Sequence, residues 1–186
     1  HYTNGNTVLG GDAKGKTVGV IGLGGLGHMG VKFAHALGAK VVMITTSPEK
    51  GEDALKLGAD EVLISTDRTA MGAHMGSFDF MLDTIPVGHS INRYLMLMKR
   101  DATLAMVGVL GKTDGFSAGM IAAKRQRIVG SMIGGIKETQ EMLDFCGEHN
   151  ITSDIETIAM ADINSAFARM EKNDIKYRFV IDMASL

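Results

Sequence analysis

The chain has 186 residues, of which 45% are hydrophobic and 22% charged, and its formal net charge is -2. This composition is that of an ordinary globular domain, so it excludes disordered and collagen-like classes, and the near-neutral charge argues against a nucleic-acid partner. The single cysteine, Cys146, excludes an internal disulfide. Since no apolar run approaches ~18 residues and no signal pattern opens the chain, the sequence predicts a cytoplasmic protein without a membrane contact.

Short apolar runs alternate with segments of helical spacing along most of the chain, and this alternation predicts βα units that build a parallel sheet. In one such segment Val31, Ala34 and His35 lie three to four residues apart. The runs are continuously apolar, as expected where helices cover both faces of a sheet. The predicted strands are 17–21, 40–45, 61–64, 78–83, 103–109 and 127–133, and the further predicted helices are 48–57, 68–75, 89–99 and 137–149. The fold class is therefore α/β, a doubly wound six-stranded parallel sheet of Rossmann type.

The pattern changes after Asn150. A strand over 155–160, a helix over 161–172 and a strand over 177–183 are expected there. We therefore predict two domains: a dinucleotide-binding domain over 1–150, and a C-terminal strand-helix-strand appendage over 151–186.

A glycine-rich loop of spacing G-x-G-x-x-G follows the first predicted strand and opens the first helix. The first glycine permits a tight turn, the second lets the backbone approach a pyrophosphate, and the third lets helix and strand pack closely. The start of the helix adds amides and a positive dipole end. In this strand-loop-helix context the motif predicts dinucleotide binding. The residues concerned are Gly22, Leu23, Gly24, Gly25, Leu26 and Gly27.

The end of the second strand bears on the choice between NAD and NADP. An acidic residue there would bind the ribose hydroxyls of NAD, but the sequence has Thr45, Thr46 and Ser47 instead, with Lys50 one helical turn on. Hydroxyl donors and a cation suit a phosphate, which favours NADP. In the other interpretation Ser47 caps the helix and Lys50 is an exposed charge, and both interpretations can hold together. Glu49 stays open as a ribose ligand.

No residue pattern announces a catalytic or metal-binding group. The six histidines form no ligand pattern, and His28 and His35 lie two helical turns apart, too far to share one ion. Asp79 and Asp83 are four residues apart on an extended strand, beyond the reach of paired-carboxylate chemistry. The sequence therefore predicts neither catalytic residues nor metal ligands in this chain.

Three long motifs resemble the cinnamyl alcohol dehydrogenase group of the zinc-dependent medium-chain dehydrogenases. They are the stretches 18–30, 130–145 and 177–182, and the likeness extends from about Lys14 to the end of the chain. The resemblance implies reversible hydride transfer between NADP(H) and a primary alcohol or an aldehyde, with zinc polarising the substrate oxygen.

The resemblance also assigns further cofactor contacts. Thr84 and Ile85 would border the cofactor, and Arg178 would approach the pyrophosphate. The nicotinamide would be lined by the backbone of Val107, Gly108, Val109, Ser131, Met132 and Ile133.

Members of this group begin with a catalytic domain, about as long as this chain, that carries the zinc ligands. No residue here matches those ligands, so we expect the chain to be the cofactor-binding C-terminal portion, able to bind NADP(H) but not to catalyse. A homodimer through the edge strand over 127–133 is expected. Two alternatives stay open: a free-standing dinucleotide-binding sensor or assembly module, and a zinc-free reductase of the same superfamily, against which the run 134–140 argues.

Overall fold

A six-stranded parallel sheet forms the centre of the chain. The computed structural model describes residues 13–108 and 111–186. The strands are β1 (Thr17–Ile21), β2 (Lys40–Thr45), β3 (Glu61–Ile64), β4 (Phe78–Asp83), β5 (Met98–Met106) and β6 (Arg127–Gly130). Their spatial order is β3-β2-β1-β4-β5-β6 and every neighbouring pair is parallel, so the predicted doubly wound sheet is confirmed.

Helices connect the strands, and several begin at a residue suited to the position. The helices are α1 (Gly25–Ala36), α2 (Pro48–Lys56), α3 (Arg68–Ala73), α4 (Asn92–Leu97), α5 (Ala118–Lys124) and α6 (Ile136–His149). The Asp67 carboxylate, for example, accepts bonds from the first amides of α3, those of Thr69 at 2.8 Å and Ala70 at 3.0 Å. In the described part of the chain, no helix is long and apolar enough to cross a membrane.

A second, smaller unit follows, and the chain divides between Ile151 and Thr152. It contains β7 (Glu156–Ala159), α7 (Ile163–Glu171) and β8 (Phe179–Asp182), with short 3₁₀ turns after each strand. The strands β7 and β8 pair in parallel, so the predicted C-terminal strand-helix-strand segment is present.

The core lies on the inner strands and against α4. Val20, Met43 and Met81 have no exposed surface, because both faces of their strands are covered. On one face Tyr94, 3% exposed, packs with Phe78 and the neighbouring apolar side chains. The continuous apolar runs in the sequence reflect this two-sided burial.

Some element bounds differ from the predicted ones. Strand β5 begins at Met98, five residues early, and passes through Asp101 with a φ of 62°, a polar stretch that conceals its strand character. Strand β6 ends at Gly130, since its last partner on β5 is Met106, where that strand also ends. Helix α4 is shorter than the predicted 89–99, and α5 was not predicted.

The carboxyl ends of β1 and β4 form the point where the strand order reverses. The two strands are neighbours in the sheet, with Ile21 opposite Asp83. The chain leaves β1 toward β2 and leaves β4 toward β5, so the two loops diverge and open a crevice between them. Ligands of doubly wound sheets bind in this crevice.

Candidate functional site: a dinucleotide cradle

The glycine loop makes its turn at Gly22, directly after β1. The φ of Gly22 is 88°, in the left-handed region that favours glycine, and its amide donates to the Ile44 carbonyl at 3.0 Å. A side chain at this position would also come within 3.2 Å of Thr84 Oγ1 and of Ile85 Cγ1. The turn therefore depends on glycine for its conformation and for the space that it leaves.

The other two glycines of the motif have opposite surroundings. A Cβ on Gly27 would lie 2.0 Å from the Gly22 carbonyl oxygen, so helix α1 packs against the turn with no room for a side chain. Gly24 has no described atom within 4 Å of such a Cβ. The loop is thus closed toward the protein at Gly27 and open at Gly24, where a ligand can approach the backbone.

Helix α1 begins beside this open space with Gly24 as its N-cap residue. No side chain caps it and its first turn carries no acidic residue, so the positive end of its dipole is not offset by a carboxylate. Leu23 is 5% exposed and packs inward, while Leu26 is 48% exposed. Leu23 can therefore contribute only backbone to a ligand, and the arrangement suits an anion.

Residues of the loops after β4 and β5 pack against the turn at Gly22. The Thr84 hydroxyl lies 2.8 Å from the Ile21 carbonyl oxygen and 2.9 Å from that of Gly22, and its one hydrogen is shared between these two acceptors. A Cβ on Gly108 would meet the Thr84 carbonyl carbon at 2.3 Å, so Gly108 packs directly on Thr84. The amides of Val107 and Gly108 both donate to the Asp83 carbonyl. Thr84, Ile85, Val107 and Gly108 therefore meet at one end of the crevice, whereas Val109 lies outside the described residues.

The turn after β2 holds the predicted phosphate residues together. The Ser47 amide donates to Thr45 Oγ1 at 3.2 Å, and Ser47 Oγ accepts from the Lys50 amide at 3.3 Å. Ser47 is thus the N-cap of α2, as one of the two interpretations predicted, and its hydroxyl hydrogen remains available for a further bond. Thr45 is buried and supports the turn, while Thr46 is exposed.

A buried carboxylate lies at the end of β4. Asp83 has no exposed surface, accepts from the Ile85 amide at 3.1 Å, and lies 2.8 Å from His89 Nε2. The other ring nitrogen, Nδ1, lies 2.8 Å from the Val87 carbonyl. A neutral imidazole has one N–H, so it donates to one of these two acceptors at a time. Burial raises the pKa of Asp83 above its usual value, with the Ile85 amide and His89 opposing that shift.

This pair fixes the loop that borders the crevice, and sequence reasoning missed it. The sequence suggests Asp79 as the only carboxylate to compare with Asp83, but Asp79 pairs with Lys99 at 2.7 Å. The sequence also predicts a helix that begins at His89, whereas His89 lies in the loop before α4. The Thr113 hydroxyl also donates to the His89 carbonyl, so the loops after β4 and β5 are tied together. The sequence signal for this pair is an aspartate at the end of a buried strand, Asp83, with a histidine six residues later, His89.

The remaining predicted residues lie elsewhere. Ser131, Met132 and Ile133 follow β6, where the Ser131 amide donates to the Met106 carbonyl at 3.3 Å. Met132 is 69% exposed and Ile133 is 92% exposed. Arg178 is an exposed residue of the second unit, directly before β8. Within residues 13–108 and 111–186, no three His, Cys, Asp or Glu side chains are grouped as metal ligands.

Comparisons with known proteins agree with this geometry. A family model described as a zinc-binding dehydrogenase matches residues 25–148. The chain is 53% identical over 176 residues to the aldehyde reductase YahK of Escherichia coli, covering 92% of this chain and 50% of that protein.

Solved structures extend the likeness to the fold. A cinnamyl alcohol dehydrogenase of Sorghum bicolor superposes with a TM-score of 0.90 at 41% identity, over 98% of this chain and 52% of that one. The enzyme CAD of Helicobacter pylori, complexed with NADP(H), superposes with a TM-score of 0.85 at 35% identity, with the same coverage. The predicted resemblance to the cinnamyl alcohol dehydrogenase group is thus confirmed. The chain spans about half the length of these relatives.

Proposed function

The chain belongs to the zinc-binding dehydrogenase family, and we propose that it is the NADP(H)-binding part of an oxidoreductase that interconverts primary alcohols and aldehydes. NADP(H), when bound, supplies or accepts the hydride. The observation that carries the proposal is the cradle between β1 and α1, closed at Gly27 and open at Gly24. A side-chain-free approach to the backbone at the start of a helix is what a pyrophosphate needs.

The proposal assigns each part of the cofactor to one part of the carboxyl edge. The loop from Gly22 to Gly27, including Gly25, would hold the pyrophosphate. The contact from Arg178 that the resemblance implies stays a prediction. Thr84, Ile85, Val107 and Gly108 would border the nicotinamide end. The nicotinamide assignment further includes Val109, Ser131, Met132 and Ile133.

The adenosine end favours NADP over NAD. Thr46 and Ser47 present hydroxyl groups after β2, and Lys50 follows in the first turn of α2. Because no carboxylate ends β2, nothing at that position repels an added phosphate. The relative from Helicobacter pylori, complexed with NADP(H), supports the same choice.

Zinc and the alcohol or aldehyde belong to the proposal for the whole protein. The family description names zinc, and we assign its ligands to residues other than the described ones, which group no three suitable side chains. On this proposal the 186 residues alone bind cofactor without turning over substrate. Zinc-dependent alcohol oxidation by the purified chain would contradict this assignment.

A homodimer through β6 is also part of the proposal. Strand β6 is the last strand of the sheet, so one of its edges has no neighbour among the described strands. Val129 on β6 is 36% exposed, and Met132 and Ile133 just beyond it are more exposed still. An open edge next to exposed apolar side chains favours pairing with a second copy.

The cofactor assignment is tested by titrating the chain with NADPH and with NADH, each for the wild type and for Lys50→Glu. Loss of a charged contact to phosphate corresponds to roughly a 10- to 100-fold change in affinity. We expect NADPH to bind more tightly than NADH and Lys50→Glu to abolish that preference. The matched control is Lys56→Glu, at the other end of the same helix and exposed, which should change neither affinity more than twofold. Equal loss in both variants, or no wild-type binding, would contradict the proposal.

A further inference from the structure

Arg93 lies at the start of α4, on the side of the crevice where the adenosine is assigned. Its Nη2 donates to the Ser65 carbonyl at 3.0 Å. Ser65 is 3% exposed and directly follows β3, so the guanidinium is held at the carboxyl end of that strand. This position is contributed by a helix that follows β4, far along the chain from the residues already assigned to the phosphate.

Ser65 is also joined to the end of β2. Its amide donates to the Thr45 carbonyl at 2.8 Å, and neighbouring strands lie about 4.8 Å apart. Arg93 is therefore held about one strand spacing from the turn that contains Thr46 and Ser47. The backbone amide of Lys50, in the first turn of α2, donates to Ser47 Oγ in the same turn.

We propose that Arg93 is a second cation for the adenosine phosphate of NADPH and, together with Lys50, determines the preference for NADPH over NADH. The inference rests on the proposed function. A guanidinium has five N–H donors, and its bond to Ser65 engages Nη2, so donors remain for a phosphate. The Ser65 carbonyl is neutral, so this hydrogen bond does not neutralise the positive charge of the guanidinium. Arg93 is exposed and can meet a ligand.

Arg93 is exposed, but its side chain is held by contacts with the protein. The neighbouring Tyr94 is 3% exposed, and the guanidinium carbon lies 5.9 Å from the centre of its ring. A side chain anchored in this way loses little conformational freedom when a phosphate binds, which makes the contact more favourable.

The alternative is that Arg93 only ties α4 to the end of β3. The two roles predict different results because NADH lacks the phosphate. A tie between elements would affect both cofactors equally, together with the stability of the chain. A phosphate ligand would affect NADPH alone, and more strongly at low salt, since exposed charge interactions are screened by ions.

The test is to measure NADPH and NADH affinity at low and high salt for the wild type, Arg93→Gln and Arg93→Lys. We expect Arg93→Gln to weaken NADPH by roughly 10- to 100-fold at low salt while NADH changes less than twofold. Arg93→Lys keeps the charge and should recover most of the NADPH affinity even if the glutamine variant folds poorly. Arg100→Gln is the control, because Arg100 is exposed and lies near the amino end of β5, whereas the proposed phosphate site lies at the carboxyl ends of the strands.

Each outcome distinguishes the inference from the proposed function. Unchanged NADPH affinity in Arg93→Gln, or parallel loss of both cofactors, would overturn the role of Arg93 while leaving NADP(H) binding intact. A wild-type chain that binds neither cofactor would refute the proposed function and the inference with it.

Discussion

Alanine at each of two glycines of the loop separates the packing role of the loop from its ligand-binding role. A Cβ on Gly27 would lie 2.0 Å from the Gly22 carbonyl oxygen, whereas ordinary contacts begin near 3.4 Å. The carbonyl must therefore move by more than 1 Å, an overpacking that costs roughly 2–3 kcal/mol. In a chain of this size, that cost lowers the melting temperature by roughly 4–12 °C. NADPH binding should also be lost, because the turn is displaced.

Gly24→Ala is expected to behave differently. No described atom lies within 4 Å of the added Cβ, and the φ of -146° is one that alanine also adopts. The free energy of unfolding should change by less than about 1 kcal/mol. The methyl group nonetheless occupies the space that we propose for the pyrophosphate, so NADPH affinity should fall at least about tenfold through lost bonds to the anion.

Urea denaturation and cofactor titration of both variants provide the assay. Gly147→Ala is the control, because this exposed residue lies within α6 with open space around it. Its replacement should raise stability by up to about 1 kcal/mol through helix propensity and leave NADPH affinity unchanged. A Gly24→Ala variant with wild-type affinity, or a Gly27→Ala variant with wild-type stability, would refute the reasoning.

Three further predictions concern charge and assembly. Burial raises the pKa of Asp83 from its usual 3.8, so its contribution to the free energy of unfolding is present below pH 3.8 and is lost as pH rises through the folded-state pKa. Urea denaturation at a series of pH values from 3.8 upward should show this loss of stability in the wild type and not in Asp83→Asn. Identical pH profiles for the two proteins would contradict the prediction. The hydrogen bond from Lys40 lowers the pKa of Glu61 below its usual 4.5, so the contribution of Glu61 to the free energy of unfolding is present above pH 4.5 and is lost as pH falls through the folded-state pKa. Glu61→Gln should lower stability by about 0.5–1 kcal/mol at pH 7 and should remove this part of the decline in stability at acid pH. An unchanged decline below pH 4.5 in the variant would contradict the prediction. Sedimentation velocity should find a dimer that Val129→Lys converts to a monomer, and a monomeric wild type would refute the dimer proposal.

Local patterns in the sequence predicted the parts of the fold that depend on local physics. The strand, turn and helix start around the glycine loop were predicted correctly, because each has its own sequence pattern within a dozen residues. The N-cap role of Ser47 was predicted for the same reason. Strand β6 was predicted three residues too long, since Met132 and Ile133 continue the apolar pattern but have no partner left on β5. Where a strand ends depends on its neighbour, which the local pattern does not contain.

The contacts that shape the crevice could not be predicted from spacing alone. Asp83 and His89 meet because the loop between them folds back on the end of β4. Arg93 reaches Ser65 across 28 positions of sequence. The first contact depends on the path of a loop and the second on the placement of α4 beside β3, and neither is contained in local spacing.

Amide hydrogen exchange of the chain with and without NADPH tests the central claim most directly. The account predicts that NADPH slows exchange most strongly across residues 22–28 and 45–50, the glycine loop and the turn after β2. Exchange in the amino-end turns of the sheet, such as residues 58–60, should stay the same. Binding that protects another surface, or no change in the glycine loop at saturating NADPH, would contradict it.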